Sequence, residues 1–128
     1  MRILYVEDDP LDVGLVQHYL TRASAGIQCE VAATRNEALH RLAQDQTFDL
    51  VLTDSHLPDG TGLELLSAIR ARGDQVAVVM LTGLDDDQAA AAVFSAGADD
   101  YIIKGEGDYS KLAERLTAAL SHYRHKSP

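Results

Sequence analysis

Five short apolar runs, each separated from the next by a stretch of helical periodicity, leave this chain few ways to fold. The runs are Ile3 to Val6, Ile27 to Ala33, Leu50 to Thr53, Val76 to Leu81 and Tyr101 to Ile103. They are mostly β-branched or aromatic, as strands buried on both faces should be. Between them, Leu11, Leu15, Val16, Tyr19 and Leu20 mark one helix face, Leu39 and Leu42 a second, and Leu63, Leu66 and Ile69 a third. Leu112, Leu116 and Leu120 mark the last, while the fourth helix, through Ala89 to Ala92 and on to Val93 and Phe94, rests on alanine propensity more than on period. Thr34 with Glu37 and Thr61 with Glu64 have capping-box spacing, and Asp85, Asp86 and Asp87 suit the positive end of the fourth helix. Strands separated by helices run parallel, with right-handed crossovers and helices on both faces. The expected architecture is α/β, a doubly wound (βα)5 sandwich on a five-stranded parallel sheet.

A chain of 128 residues has room for one good core. The domain is expected to span residues 1–124, followed by the polar tail His125-Lys126-Ser127-Pro128. Apolar content of 46% with 24% charged residues excludes disorder. The longest apolar runs fall far short of the roughly 18 residues of a membrane span, and no cleavable leader precedes the first strand, so a cytoplasmic location without a membrane partner is expected. The single cysteine, Cys29, is read as a small core residue. Net charge is −9 and no basic cluster could follow a nucleic-acid backbone, so direct nucleic-acid binding is not expected.

In an open parallel sheet, ligands bind outside the carboxyl ends of the strands. After the first strand come Glu7, Asp8 and Asp9; after the third, Asp54; after the fourth, Thr82 and Gly83; after the fifth, Lys104. Singly, each has an ordinary explanation, and Asp9, which precedes Pro10 and a helix, is read as a cap. Together they form a set. Like charges about 4 Å apart repel by roughly 1 kcal/mol in water and about 4 near a protein surface, so clustering Glu7, Asp8 and Asp54 calls for a cation. Oxygen-only ligands favour Mg²⁺, and the absence of a Cys or His pair at ligand spacing disfavours zinc. An aspartate accepts a phosphoryl group where metal and lysine neutralise the transferring charge. On that chemistry Asp54 is the candidate nucleophile, Mg²⁺ and Lys104 the charge clamp, and Thr82 and the Gly83 amide the donors to phosphate oxygens.

Five runs in order, Ile3-Leu4-Tyr5-Val6-Glu7-Asp8-Asp9-Pro10, Asp49-Leu50-Val51-Leu52-Thr53-Asp54, Leu57-Pro58-Asp59-Gly60, Met80-Leu81-Thr82-Gly83 and Ala96-Gly97-Ala98-Asp99-Asp100-Tyr101-Ile102-Ile103-Lys104, cover essentially the whole chain. They resemble the CheY-like receiver domains of bacterial two-component response regulators. The resemblance implies the flavodoxin-like strand order 2-1-3-4-5. It implies a signalling domain rather than an enzyme, with Asp54 phosphorylated from the phosphohistidine of a histidine kinase or phosphotransfer protein. It further implies Mg²⁺ held by Asp8, Asp54 and the His56 backbone carbonyl, with Glu7 helping through water, and His56 facing the phosphoryl group. Thr82 and Tyr101 occupy the switch positions that relay phosphorylation to a protein-binding face of the fourth helix, fifth strand and fifth helix, read by a downstream protein or a fused output domain. The acidic, alanine-rich fourth helix, opposite Lys111 and Arg115, predicts a monomer or weak dimer.

Two departures stand out. His56 has a second reading as a solvent-facing loop residue. Lys104 is followed by Gly105-Glu106-Gly107-Asp108 where the family usually has proline, so a trans Lys104–Gly105 bond and a mobile loop are expected. Rival readings fit less well. Glu7-Asp8-Asp9-Pro10 would repel a flavin phosphate, a haloacid-dehalogenase-type phosphatase needs an acid where His56 stands, and Gly60-Thr61-Gly62 is a turn into a helix rather than a dinucleotide loop. The alternative that remains is a receiver-fold interaction module that works without phosphorylation.

Overall fold

A computed structural model describes residues 1–23, 26–83, 87–104 and 109–126. In chain order the elements are β1 Arg2–Val6, α1 Pro10–Ala23, β2 Gln28–Ala32, α2 Arg35–Gln44, β3 Leu50–Asp54, β4 His56–Leu57, β5 Gly60–Thr61, α3 Gly62–Ala71, β6 Ala77–Thr82, α4 Asp87–Ser95, β7 Asp100–Ile103 and α5 Leu112–Lys126. The main sheet is parallel throughout, in the order β2-β1-β3-β6-β7. Counting only its five strands, that is the expected 2-1-3-4-5. The expected capping by Asp85 and Asp86, the loop Gly105-Glu106-Gly107-Asp108 and the Lys104–Gly105 bond lie outside the described residues, as does the Asp87 side chain.

The strands alternate their side chains between two cores. Ile3, Tyr5, Leu50, Leu52, Val79 and Leu81 face α1 and α5, where Val16, Leu20, Leu112, Leu116 and Leu120 cover them. Leu4, Val6, Val51, Val78 and Met80 face the other way, against Ala38 and Leu42 of α2, Leu65, Leu66 and Ile69 of α3, and Val93 of α4. In β1, β3 and β6 nearly every side chain on both faces is buried, which is why these strands read as continuous apolar runs, while the edge strands β2 and β7 are part-exposed. Cys29 packs partly buried against the first core, and burial pushes its thiol up to about 11. The face expected for α1 differs at its start: Val16 and Leu20 are buried, but Leu11 is 77% exposed and Leu15 40%.

Both capping hydroxyls accept as their spacing predicts, Thr34 from the Glu37 amide and Thr61 from the Glu64 amide, each at 3.0 Å. The Glu37 carboxylate returns its bond to the Ala33 amide. The two-stranded hairpin β4–β5, whose turn is Pro58-Asp59, was not expected. It fastens itself to α2: Asp59 accepts from the Arg35 amide at 2.7 Å and from the Asn36 amide at 3.0 Å, at a helix end that leaves amides unsatisfied. Those amides, the Asn36 bond foremost, hold the Asp59 carboxyl below its ordinary range. A lowered folded value means that the contribution is present above the unfolded carboxyl's value of about 3.9 and is lost as pH falls through the folded one. Asp59→Ala is expected to lower the thermal midpoint at pH 7, and thermal unfolding followed by circular dichroism should show the gap between variant and wild type closing as the pH falls through the lowered carboxyl value.

Candidate phosphoacceptor site at the carboxyl edge of the sheet

Every strand that supplies a candidate residue ends at the same rim. β1 leads directly into Glu7 and Asp8, β3 ends on Asp54, β6 on Thr82, and Lys104 follows β7, with its amide donating to the Thr82 carbonyl at 2.6 Å. Glu7 is only 2% exposed. Its Oε2 accepts from the amides of Asp8 and Asp9, and its Oε1 from Lys104 at 3.0 Å and the Tyr5 hydroxyl at 3.4 Å. Asp8 is exposed beside it. Asp9 is the cap it was read to be, accepting the Leu11 amide at 2.9 Å.

Lys104 is the cation of the site. Its Nζ lies 3.0 Å from Glu7 Oε1, 2.8 Å from Asp12 Oδ2 and 3.5 Å from Asp54 Oδ1. Burial pulls the ammonium down, but the bonds to Asp12 and Glu7 and the charge of Asp54 outweigh it, so its proton is held more tightly than in water. Glu7 moves the other way for a carboxylate: burial raises it, and the Lys104 bond and the Asp9 amide only partly oppose that. The same field acts on Tyr5 and Tyr109, whose hydroxyls are raised first by burial and then by the nearby carboxylates.

Asp54 Oδ1 accepts the Ser55 amide at 2.9 Å. Thr82 is buried, and its hydroxyl lies 2.7 Å from Ser55 Oγ, which in turn sits 3.1 Å from His56 Nδ1. His56 is exposed, and Gly83 is exposed just past Thr82. Tyr101 is part-buried, in register with Met80 and packed on the α2–α3–α4 core. Two residues absent from the sequence-derived set are therefore structurally engaged: Asp12, paired with Lys104, and Ser55, bonded to Thr82. Asp12 had a signal in its position four residues after Asp8 in the first helical turn, on the rim where the acids gather. Ser55 had only its place next to Asp54.

Asp8, Asp54 and a backbone carbonyl at His56 are hard oxygen donors of the kind Mg²⁺ takes. Among the described residues no three acidic, histidine or cysteine side chains converge as a ready metal cage. A site of two carboxylates, one carbonyl and several waters does not require one.

A rim of this kind, with a strand-end aspartate facing a lysine and a buried threonine on a 2-1-3-4-5 sheet, defines a phosphoacceptor class of α/β domain. The profile of the response regulator receiver domain matches residues 3–117, and the chain belongs to that family. Among sequences, it is 35% identical to the transcriptional regulatory protein MalR of Bacillus subtilis across 98% of this chain and 51% of that one. To the transcriptional regulatory protein AruR of Pseudomonas aeruginosa it is 37% identical, across 97% of this chain and 51% of the relative. The chain thus spans about half the length of these curated relatives. Among structures, it superposes on a CheY-like receiver domain protein from Methanospirillum hungatei with a TM-score of 0.82 at 31% identity, over 98% of both chains. It superposes on the BeF3-activated N-terminal receiver domain of Klebsiella pneumoniae RstA with a TM-score of 0.83 at 32% identity, over 94% of this chain and 98% of that one. The chain is a receiver domain of the two-component response regulator type, a signalling domain whose family binds Mg²⁺ at the phosphorylation site. Among the described residues no helix is long and apolar enough to cross a membrane.

The backbone at Asp54 is fixed by one close approach. The Gly62 amide donates to the Ser55 carbonyl at 2.9 Å, and a Cβ on Gly62 would fall inside the contact distance of the Asp54 carbonyl oxygen and 2.6 Å from Met80 Sδ. Gly62→Ala is expected to cost about 1–3 kcal/mol of stability through overpacking, read as a lowered urea midpoint. Phosphorylation of the surviving folded protein should slow as Asp54 is displaced.

Proposed function

We propose that the chain takes a phosphoryl group from the phosphohistidine of a histidine kinase or phosphotransfer protein onto Asp54, and thereby alters the face formed by α4, β7 and α5 for a downstream protein or a fused output domain. The observation that carries this reading is the convergence of Asp54, Lys104 and Thr82 at one rim. Asp54 Oδ1 is held by the Ser55 amide, and Oδ2 attacks phosphorus. The bond from phosphorus to the donor imidazole nitrogen breaks, its electron pair leaves with the histidine, and an acyl phosphate remains. Lys104 neutralises the charge carried over, and the Thr82 hydroxyl and Gly83 amide bond the new phosphate oxygens. Asp8, Asp54 and the His56 carbonyl would hold Mg²⁺, with Glu7 assisting through water. The ion supplies charge neutralisation on the phosphoryl oxygens. His56, at hydrogen-bond distance from Ser55, is placed to influence how long the phosphoryl group survives.

Leu11 and Leu15, one turn apart on α1 and exposed beside the site, offer an apolar strip to the donor. On the output face Phe94 is 48% exposed and Ile103 42%. Arg115 is already engaged there by Asp100 at 3.0 to 3.2 Å, which leaves less charge for pairing between copies and supports a monomer or weak dimer. Tyr101 and Thr82 lie on the route from the acceptor to that face.

Acetyl phosphate with Mg²⁺ is expected to add one phosphoryl group, seen by intact-protein mass spectrometry and lost in Asp54→Asn or with chelator. Undiminished labelling of the Asn variant would move the acceptor elsewhere. Mg²⁺ binding, followed by titration calorimetry, should be weak in the unphosphorylated protein and abolished by Asp8→Ala, because the ion gives up its waters reluctantly. Tight binding in that variant would place the ion at other ligands.

A further inference from the structure

We propose that Asp12 is a positioning residue, a resting-state counter-ion that holds Lys104 back from the acceptor until a phosphoryl group claims the ammonium. The inference rests on Asp54 being the acceptor and goes beyond it, because Asp12 touches no reacting atom and acts only through the lysine.

The distances set out the competition. Lys104 Nζ bonds Asp12 Oδ2 at 2.8 Å and Glu7 Oε1 at 3.0 Å, whereas Asp54 Oδ1, at 3.5 Å, lies beyond the usual N–H···O range. The acceptor therefore ranks third among the carboxylates that share one ammonium. Glu7 cannot readily follow the lysine. It is 2% exposed and tied by the Asp8 and Asp9 amides and the Tyr5 hydroxyl. Asp12 differs: it projects from the first turn of α1, and its side chain is 27% exposed, against 16% for Lys104. When a phosphoryl group arrives on Asp54, its oxygens draw Nζ toward them, and the bond to Asp12 is the one that yields. The ion pair must be broken before the lysine can neutralise the transferred charge, so it raises the barrier to phosphorylation and draws the lysine back when the group is lost. It also ties the start of α1 to the end of β7 at rest and releases it on phosphorylation.

The test uses the full chain with acetyl phosphate and Mg²⁺. Asp12→Asn, which keeps an acceptor oxygen but removes the charge, is expected to raise the phosphorylation rate constant on the order of threefold to tenfold and to lengthen the phosphoryl lifetime, since charged hydrogen bonds are about twice as strong as neutral ones. Asp12→Ser, a residue that also suits a first helical turn, should do the same, and Asp12→Glu should restore the wild-type rate. Asp9→Asn removes an equal charge from the rim without touching Lys104, and should leave the rate within about twofold, as expected of a screened surface charge. An equal rise in Asp9→Asn would assign the effect to rim charge and overturn the proposal, as would unchanged or slower labelling in both neutral variants. A separate arm needs no phosphodonor: the ¹⁵N–H signal of the Lys104 ammonium should exchange faster in Asp12→Asn than in wild type. Identical signals would refute the pairing itself, whereas a wild-type protein that shows the pair but takes no phosphoryl group would overturn the assignment of Asp54 and not the pairing.

Discussion

A single ammonium makes the carboxyl edge of this sheet tenable. Glu7 is almost fully buried, Asp54 is mostly so, and Asp12 approaches from α1; Lys104 reaches all three. Removing charges from water is costly, and the cost is offset only where opposite charge and hydrogen bonds replace the water. The amides of Asp8 and Asp9 on Glu7 and the Ser55 amide on Asp54 complete the replacement. The negative charge that Lys104 leaves unbalanced suits the Mg²⁺ that receiver domains bind at the phosphorylation site. The fold serves this rim by ending four strands at one level, and the register β1 to β3 to β6 to β7 brings Glu7, Asp54, Thr82 and Lys104 there.

The sheet was legible because a strand buried on both faces leaves an unambiguous apolar run, and because a run that alternates with helical periodicity admits one topology. Site members that terminate strands were legible for the same reason: where the run stops, the next polar residue is at the rim. Side chains that reach the rim by other routes were not. Asp12 arrives from a helix, where its spacing is equally that of a first-turn acid favoured by the helix dipole. Ser55 acts through a hydroxyl contact whose existence depends on how β3 and β6 are registered, which no local pattern encodes. The hairpin at His56–Thr61 escaped because its strands have two residues each and no periodicity to read.

Leu11 and Leu15 show the limit of reading burial from period. A helical stripe tells which residues share a face, and Val16 and Leu20 fulfil that expectation. At about 100° per residue, Leu11 and Leu15 fall on the side of α1 turned away from Val13, Val16 and Leu20, which pack on the core, so both face outward.

The loop that follows Asp54 is braced from both sides. On one side, the Asp59 carboxylate pins the hairpin to two amides of α2, Arg35 bridges to Glu64 of α3 at 3.1 Å, and Gly62 sits against the acceptor's own carbonyl. Toward β6, Asp54 is in register with Leu81, and the Ser55 and Thr82 hydroxyls lie 2.7 Å apart. Substitutions on either side would therefore act on the same carboxylate from opposite directions.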